Sequence, residues 1–245
     1  QPRTVKRKIA SLKAFFNYLV YEDILTVSPL SKVKTDFREP KTLPRTIPLK
    51  TIQQILEHMY QKKKTSTLTF LQHKYITRDI AVIELLLSTG LRVSELSYLK
   101  LKDIDLLNKT VRIMGKGTRE RILYVENDKT LEALIDYQNL FSQEITDSGY
   151  FFINNWGAQY STQSVRNMIK KYTKIVDSSI HITPHMFRHT FATFLLEEDV
   201  DIRYIQKFLG HSSIVTTQIY THISSTKQRN ILKEKNPRNY ILDMD

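Results

Sequence analysis

The chain has 245 residues, with 37 lysines and arginines against 25 acids and no cysteine. That length carries one large domain or two unequal ones; no apolar run approaches the roughly 18 residues a membrane span needs, and the N-terminal QPRTVKRKIA lacks the apolar segment of a signal peptide. Absence of cysteine excludes disulfides, thiolate catalysis and cysteine-bound zinc and fits a reducing cytoplasm, while a formal charge of +12 favours a polyanionic partner, nucleic acid before a membrane surface.

The first segment reads as a basic amphipathic helix. Val5, Ile9, Leu12, Phe16 and Leu19 keep one apolar face, and Arg3, Lys6, Arg7, Lys8 and Lys13 load its early turns with positive charge. A second short helical piece is expected to end at Ser28-Pro29. So short a segment rarely sustains a core alone, so residues 1–37 are expected to be the end of a larger helical N-terminal domain. Pro40, Pro44 and Pro48 keep the backbone extended and mark residues 38–48 as a linker, within which Lys41 and Arg45 can touch a phosphate backbone.

Residues 49–223 read as the larger domain, mainly α with a small antiparallel β-sheet, an α+β architecture. It opens with a helix whose buried stripe is Ile52, Ile55, Leu56 and Met59, followed by the lysine run Lys62–Lys64, ordinarily solvated surface, and a polar loop; the basic stretch Lys62–Lys74 can also contact DNA. Tyr75 to Leu87 is a strongly apolar helix that stops at Thr89-Gly90. Arg92 then stands in the first turn of the next helix, where a cation opposes the macrodipole; Glu95, three residues on, can clamp it. Alone, these two read equally as a local surface pair.

Thr110–Met114 and Glu120–Val125 are expected to be strands joined by a turn at Gly115-Lys116-Gly117, whose glycines permit positive φ and leave Lys116 projecting. A lysine there is ordinarily just solvated. A helix over 129–143, a short strand over 150–154 and a basic helix over 162–176, with Arg166 and Lys170 on its charged side, lead to the most informative stretch.

Thr183-Pro184 is a helix start. Phe187, Phe191, Phe194 and Leu195 form its packed stripe, with His185 and Arg188 on the flank, about 60° apart. His189 reads as a core or supporting histidine. Ile202, Ile205, Phe208 and Leu209 define another helix, stopped by Gly210; His211 follows at once, and Tyr220 lies on a further helical run. A metal-free reaction at a phosphodiester needs a nucleophile, cations on the non-bridging oxygens and a proton donor for the leaving oxygen. Tyr220, the pair Arg92 and Arg188, and Lys116 can fill those roles, with His185 and His211 as further donors.

The motifs R92-V-S-E-L, G115-K116-G117, H185-M-F-R188-H, L209-G210-H211 and Y220-T-H, in this order and spacing, resemble the signature of the tyrosine recombinases, the lambda-integrase family with its Xer proteins. The resemblance implies a catalytic domain preceded by the end of a core-binding domain. It implies that Tyr220 attacks the scissile phosphate to give a 3′-phosphotyrosyl bond, that Arg92 and Arg188 hold the non-bridging oxygens, and that Lys116 is the general acid. By the same resemblance His185 handles the tyrosine proton, His211 donates to the phosphate and Glu95 supports the site. It further implies double-stranded DNA as partner, a homo-tetramer acting through a four-way junction, no ATP or metal cofactor, and a tail, residues 224–245, that docks through Ile231 and Leu232 on a neighbouring subunit. Zinc held by His185, His189, His211 and His222 is the rival in another class, although no HExxH glutamate is present. A non-catalytic DNA-coating protein and a type IB topoisomerase also compete with the recombinase reading.

Overall fold

The structure, a computed structural model, describes residues 2–33, 45–114, 120–177, 179, 181–210 and 225–241, except for the side chains of residues 2, 3 and 225–227. The chain divides into two units, residues 1–43 and 44–245. In the first, helix α1 (Pro2–Tyr21) gives way to turns rather than to a second helical piece. Asp23, in the left-handed region at φ 56°, stops the helix. Val5, Leu12, Phe15, Tyr18 and Tyr21 are exposed, and so are Lys6, Arg7 and Lys8, with Lys13 half-buried.

In the second unit α2 (Leu49–Lys64) buries the expected Ile52, Ile55, Leu56 and Met59. The next helix, α3 (Phe70–Thr89), is the axis of the unit. Every residue from Ile76 to Thr89 is buried, which a helix achieves only when other elements surround it; α3 begins at Phe70 rather than Tyr75 because Thr69 and Gln72 form a capping box, the Gln72 N–H donating to Thr69 Oγ1 at 3.2 Å and the Thr69 N–H to Gln72 Oε1 at 3.0 Å. The basic loop expected over 62–74 therefore shrinks to residues 65–69. Lys74 is helical and buried, paired with Glu144 and 4.4 Å from the Phe141 ring centroid, and Lys63 pairs with Asp136 at 2.6 Å. Lys63 and Lys74 are thus tied to acids, while Lys62 and Lys64 stay exposed.

A short α4 (Val93–Ser97) leads into strands β1 (Ile104–Asp105), β2 (Thr110–Met114) and β3 (Glu120–Tyr124). They form an antiparallel sheet in that order, with Val111 opposite Leu123 and Met114 opposite Glu120. One helix was expected over 129–143. Two are present, α5 (Asp128–Leu140) and α6 (Ser142–Ser148), because Phe141 leaves the helical path to join Tyr137, Phe151 and Phe152 in an aromatic cluster, its ring 4.8 Å from that of Tyr137. Phe151 and Phe152 are both fully buried, so the segment over 150–154 is not a one-faced strand but carries two isolated bridges, Lys100 with Tyr150 and Ile153 with Gln159.

Helix α7 (Thr162–Val176) is capped by the Ser161 hydroxyl, which accepts the Ser164 N–H at 3.0 Å. α8 (Pro184–Glu197) starts at Thr183 with proline in its first turn, although the Thr183 hydroxyl makes no capping bond, and α9 (Ile202–Leu209) follows. Phe187, Phe191 and Leu195 are buried as their spacing required, and Phe191 meets Phe208 of α9 edge-on.

The last helix, α10 (Ser225–Glu234), and the turn after it, read from sequence as an exchange tail, are seated on their own unit in this chain. Leu232 is buried, Asn236 Nδ2 donates to Ser88 O at 2.9 Å, and Arg238 Nε donates to Glu84 Oε2 at 2.8 Å. Glu84 is wholly buried in mid-α3 and also accepts from Tyr60 Oη at 2.8 Å and Thr130 Oγ1 at 3.2 Å. Removing one partner of a buried ion pair strands the other charge. Arg238→Ala should therefore cost about 3–5 kcal/mol of unfolding free energy, read from the shift in a urea unfolding curve.

Candidate active site

Arg188, on the flank of the α8 stripe, projects into the interior and is buried. It is held by two carbonyls, Gly90 O at 3.0 Å from Nη1 and Leu209 O at 2.6 Å from Nη2. Both belong to helix C-termini, those of α3 and α9, where the partial negative charge of the helix suits a cation. Each of these helices ends in a left-handed glycine, Gly90 at φ 62° and Gly210 at φ 63°. A Cβ on Gly90 would lie 2.7 Å from Phe191 Cδ1, and one on Gly210 2.9 Å from Arg121 Nη1. Glycine is thus required twice, for conformation and for clearance.

Beside Arg188 three further charges are linked. Glu95 Oε2 accepts the Arg92 backbone N–H at 2.9 Å, capping α4, while Oε1 receives Arg92 Nη1 at 2.8 Å. Arg121, on β3, grips the same carboxylate with Nη1 at 2.9 Å and Nη2 at 2.7 Å, and its Nε donates to Phe208 O at 3.0 Å. Three guanidiniums therefore gather around one carboxylate, two of them bonded to it. Burial alone would raise the Glu95 pKa, but the hydrogen bonds from Arg121 and Arg92 outweigh it and hold the carboxyl below its ordinary value. Burial first, and then the positive charge of Arg92, pull the Arg188 pKa down to about 10, with Glu95 opposing and Arg121 adding to the fall.

His185 is exposed on α8, with His189 one turn on and also exposed. Of the two places expected for His189, the core is thus not the one it takes. What burial it has, and then His185 and Arg188, keep its pKa low. Among the described residues no three metal-ligating side chains come together. Arg45, Arg166 and Lys170 are exposed, the last two on α7. Lys116, His211, Tyr220 and Lys41, and the side chain of Arg3, lie outside the described residues.

Residues 46–227 match the model of the phage integrase family. The chain belongs to the phage integrase family of tyrosine recombinases. It is 50% identical over 238 residues to a tyrosine recombinase of Agathobacter rectalis, covering 97% of this chain and 78% of that protein. It is 34% identical to the tyrosine recombinase XerC of Bacillus subtilis, over 96% of this chain and 75% of the relative. Among solved structures, the XerA recombinase crystal structure superposes with a TM-score of 0.60 at 29% identity, over 90% of this chain and 72% of that one. The XerH recombinase bound to a palindromic difH substrate shares the fold, with a TM-score of 0.71 at 21% identity, over 98% and 66% of the two chains.

Sequence reasoning missed one residue of this recombinase's arginine cluster, Arg121. The signal was there: strand alternation puts Arg121 on the face of the buried Leu123 and leaves Ile122 half exposed, and a charge on a core-facing position demands a partner. A carboxyl whose folded pKa lies below its ordinary value of 4.5 adds stability above that value and loses it as pH falls through the lower folded pKa. Unfolding midpoints followed from neutral to acid pH should fall below about pH 4.5, and Glu95→Gln should be less stable at neutral pH with a shallower acid limb.

Proposed function

We propose that this family member is a site-specific DNA recombinase that breaks and rejoins DNA through a 3′-phosphotyrosyl link. One observation carries the reading. Of the three buried arginines among the described residues, Arg78 and Arg238 are paired with Asp79 and Glu84, whereas Arg188 rests on carbonyls alone, next to Arg92 and Arg121. A guanidinium buried without a carboxylate keeps its charge for an incoming anion. The names of the relatives and the difH-bound state of one structural neighbour support a DNA phosphodiester as that anion.

In this reading the Tyr220 oxygen attacks the scissile phosphorus and its proton passes to His185, while the bond to the 5′-oxygen breaks and Lys116 protonates that oxygen. Arg92 and Arg188 hold the non-bridging oxygens, His211 donates to one of them, and Glu95 steadies Arg92. A 5′-hydroxyl then attacks the phosphotyrosyl phosphorus and Tyr220 leaves, regaining a proton. The ester is conserved throughout, so no ATP is needed, and in this reading the guanidiniums and Lys116 take the charge-stabilising and proton-donating parts that a divalent metal would otherwise supply. Lys116, His211 and Tyr220 take these roles from motif order and spacing.

Arg3, Lys6, Arg7, Lys8 and Lys13 of the N-terminal unit, Lys41 and Arg45 near its boundary, and Arg166 and Lys170 of α7 grip the duplex by its phosphates. A tetramer acts on two sites through a four-way junction in the cytoplasm. Its members exchange residues 224–245, each tail taking on a neighbour the seat that Glu84 and Ser88 provide.

Tyr220→Phe should bind nicked duplex as the parent does yet leave no detergent-resistant adduct on a denaturing gel, in buffer containing EDTA. An adduct that persists reassigns the nucleophile. Arg188→Lys retains a charge but not the fork, and should slow single-turnover cleavage by about a hundredfold or more with DNA affinity little changed. Unaltered cleavage would remove Arg188 from the phosphate site.

A further inference from the structure

The chain's single tryptophan, Trp156, is 91% exposed. It does not sit on a loose loop. The Asn154 side-chain oxygen accepts the N–H groups of Trp156 at 2.8 Å and Ala158 at 3.1 Å, the Asn154 N–H donates to Ala158 O at 2.7 Å, and Asn154 Nδ2 reaches Gln159 O at 3.3 Å. Beneath the turn, the buried Arg78 donates from Nη1 to Ile153 O at 3.2 Å and Asn155 Oδ1 at 2.9 Å, and Asp79 holds its other edge. A buried ion pair and a closed set of turn hydrogen bonds thus present one indole to solvent. A large aromatic ring presented outside the core on a hydrogen-bonded turn has both apolar faces open to a partner.

The chemistry around it identifies the partner. Trp156 shares a cleft of about 510 Å³ with Asn155, Asn167 and Lys171, at whose base the Asp79 carboxylate is neutralised by Arg78. Asn167 and Lys171 belong to α7, which carries no acidic residue and exposes Arg166, Lys170, Lys171 and Lys174. A helix of this length runs about 22 Å, so cations spread along it face a repeating polyanion better than a single anion. An aromatic plate, amides and an ammonium around one cleft suit a sugar-phosphate strand: the ring packs on deoxyribose or base, the ammonium meets phosphate and the amides reach polar edges.

We propose that Trp156 and the Asn155–Asn167–Lys171 cleft form a DNA contact of this recombinase, in which the indole packs against the strand whose phosphate pairs with Lys171. The proposal rests on the DNA-cleaving reading above and adds to it a surface built by the turn over 154–158 and α7.

With excitation at the red edge of the absorption band, beyond the tyrosines, emission from the parent protein reports residue 156 alone. A short fluorescein-labelled duplex of mixed sequence is titrated at low salt, with anisotropy recording binding and Trp156 emission and acrylamide quenching recorded in the same cuvette. Emission should change and acrylamide access should fall in step with anisotropy. Trp156→Ala should weaken binding about tenfold and Trp156→Phe much less, with adduct formation at saturating DNA unaltered in both. Lys171→Ala should reduce the slope of log affinity against log salt by about one. If anisotropy saturates and adduct forms while Trp156 emission and acrylamide access stay constant, the contact is refuted and the recombinase reading survives. If anisotropy never rises, both fall. A Trp156 response to phosphatidylserine vesicles but not to DNA overturns the proposal in favour of a membrane surface.

Discussion

The second unit depends on a guanidinium held between the ends of two helices. Arg188 is buried, and the carbonyls of Gly90 and Leu209 supply its hydrogen bonds without cancelling its charge as a carboxylate would. That arrangement constrains its surroundings. α3 and α9 must end where their last carbonyls can converge, both must turn left-handed at glycine, and Phe191 and Leu209 must approach Gly90 more closely than a side chain there allows. The apolar stripe of α8 is the means by which the helix offers Arg188 to those two ends.

Arg121 extends the same logic to the sheet. Its bidentate grip on Glu95 and its bond to Phe208 O join β3 to the α4 cap and to the end of α9. A shift of the hairpin formed by β2 and β3 is therefore felt at Arg92 through a shared carboxylate. The chain position leading into residue 211 is held from both sides, by Arg121 at Phe208 and by Arg188 at Leu209.

Much of this was legible in the sequence because helix periodicity and punctuation are local. The stripes of α2 and α8, the glycine stop of α3 and the Arg92–Glu95 pair follow from spacings of three and four residues. What failed depended on distant partners. Phe141 breaks a regular helix because an aromatic cluster receives it, and Lys74 leaves a presumed loop because Glu144 and the Phe141 ring await it. His189, read as a core or a supporting residue, lies on the outer side of α8. Arg121 escaped notice because its meaning comes from Glu95, on another element, and no local pattern announces a carboxylate already shared.

The fold and the family signature do not end at the same residue. The family match stops at residue 227, whereas the counter-charge of Glu84 arrives with Arg238. A boundary drawn at the end of the family model would amputate the cation that neutralises the middle of α3, and the excised piece would carry every recognisable motif while missing the keystone of its own interior.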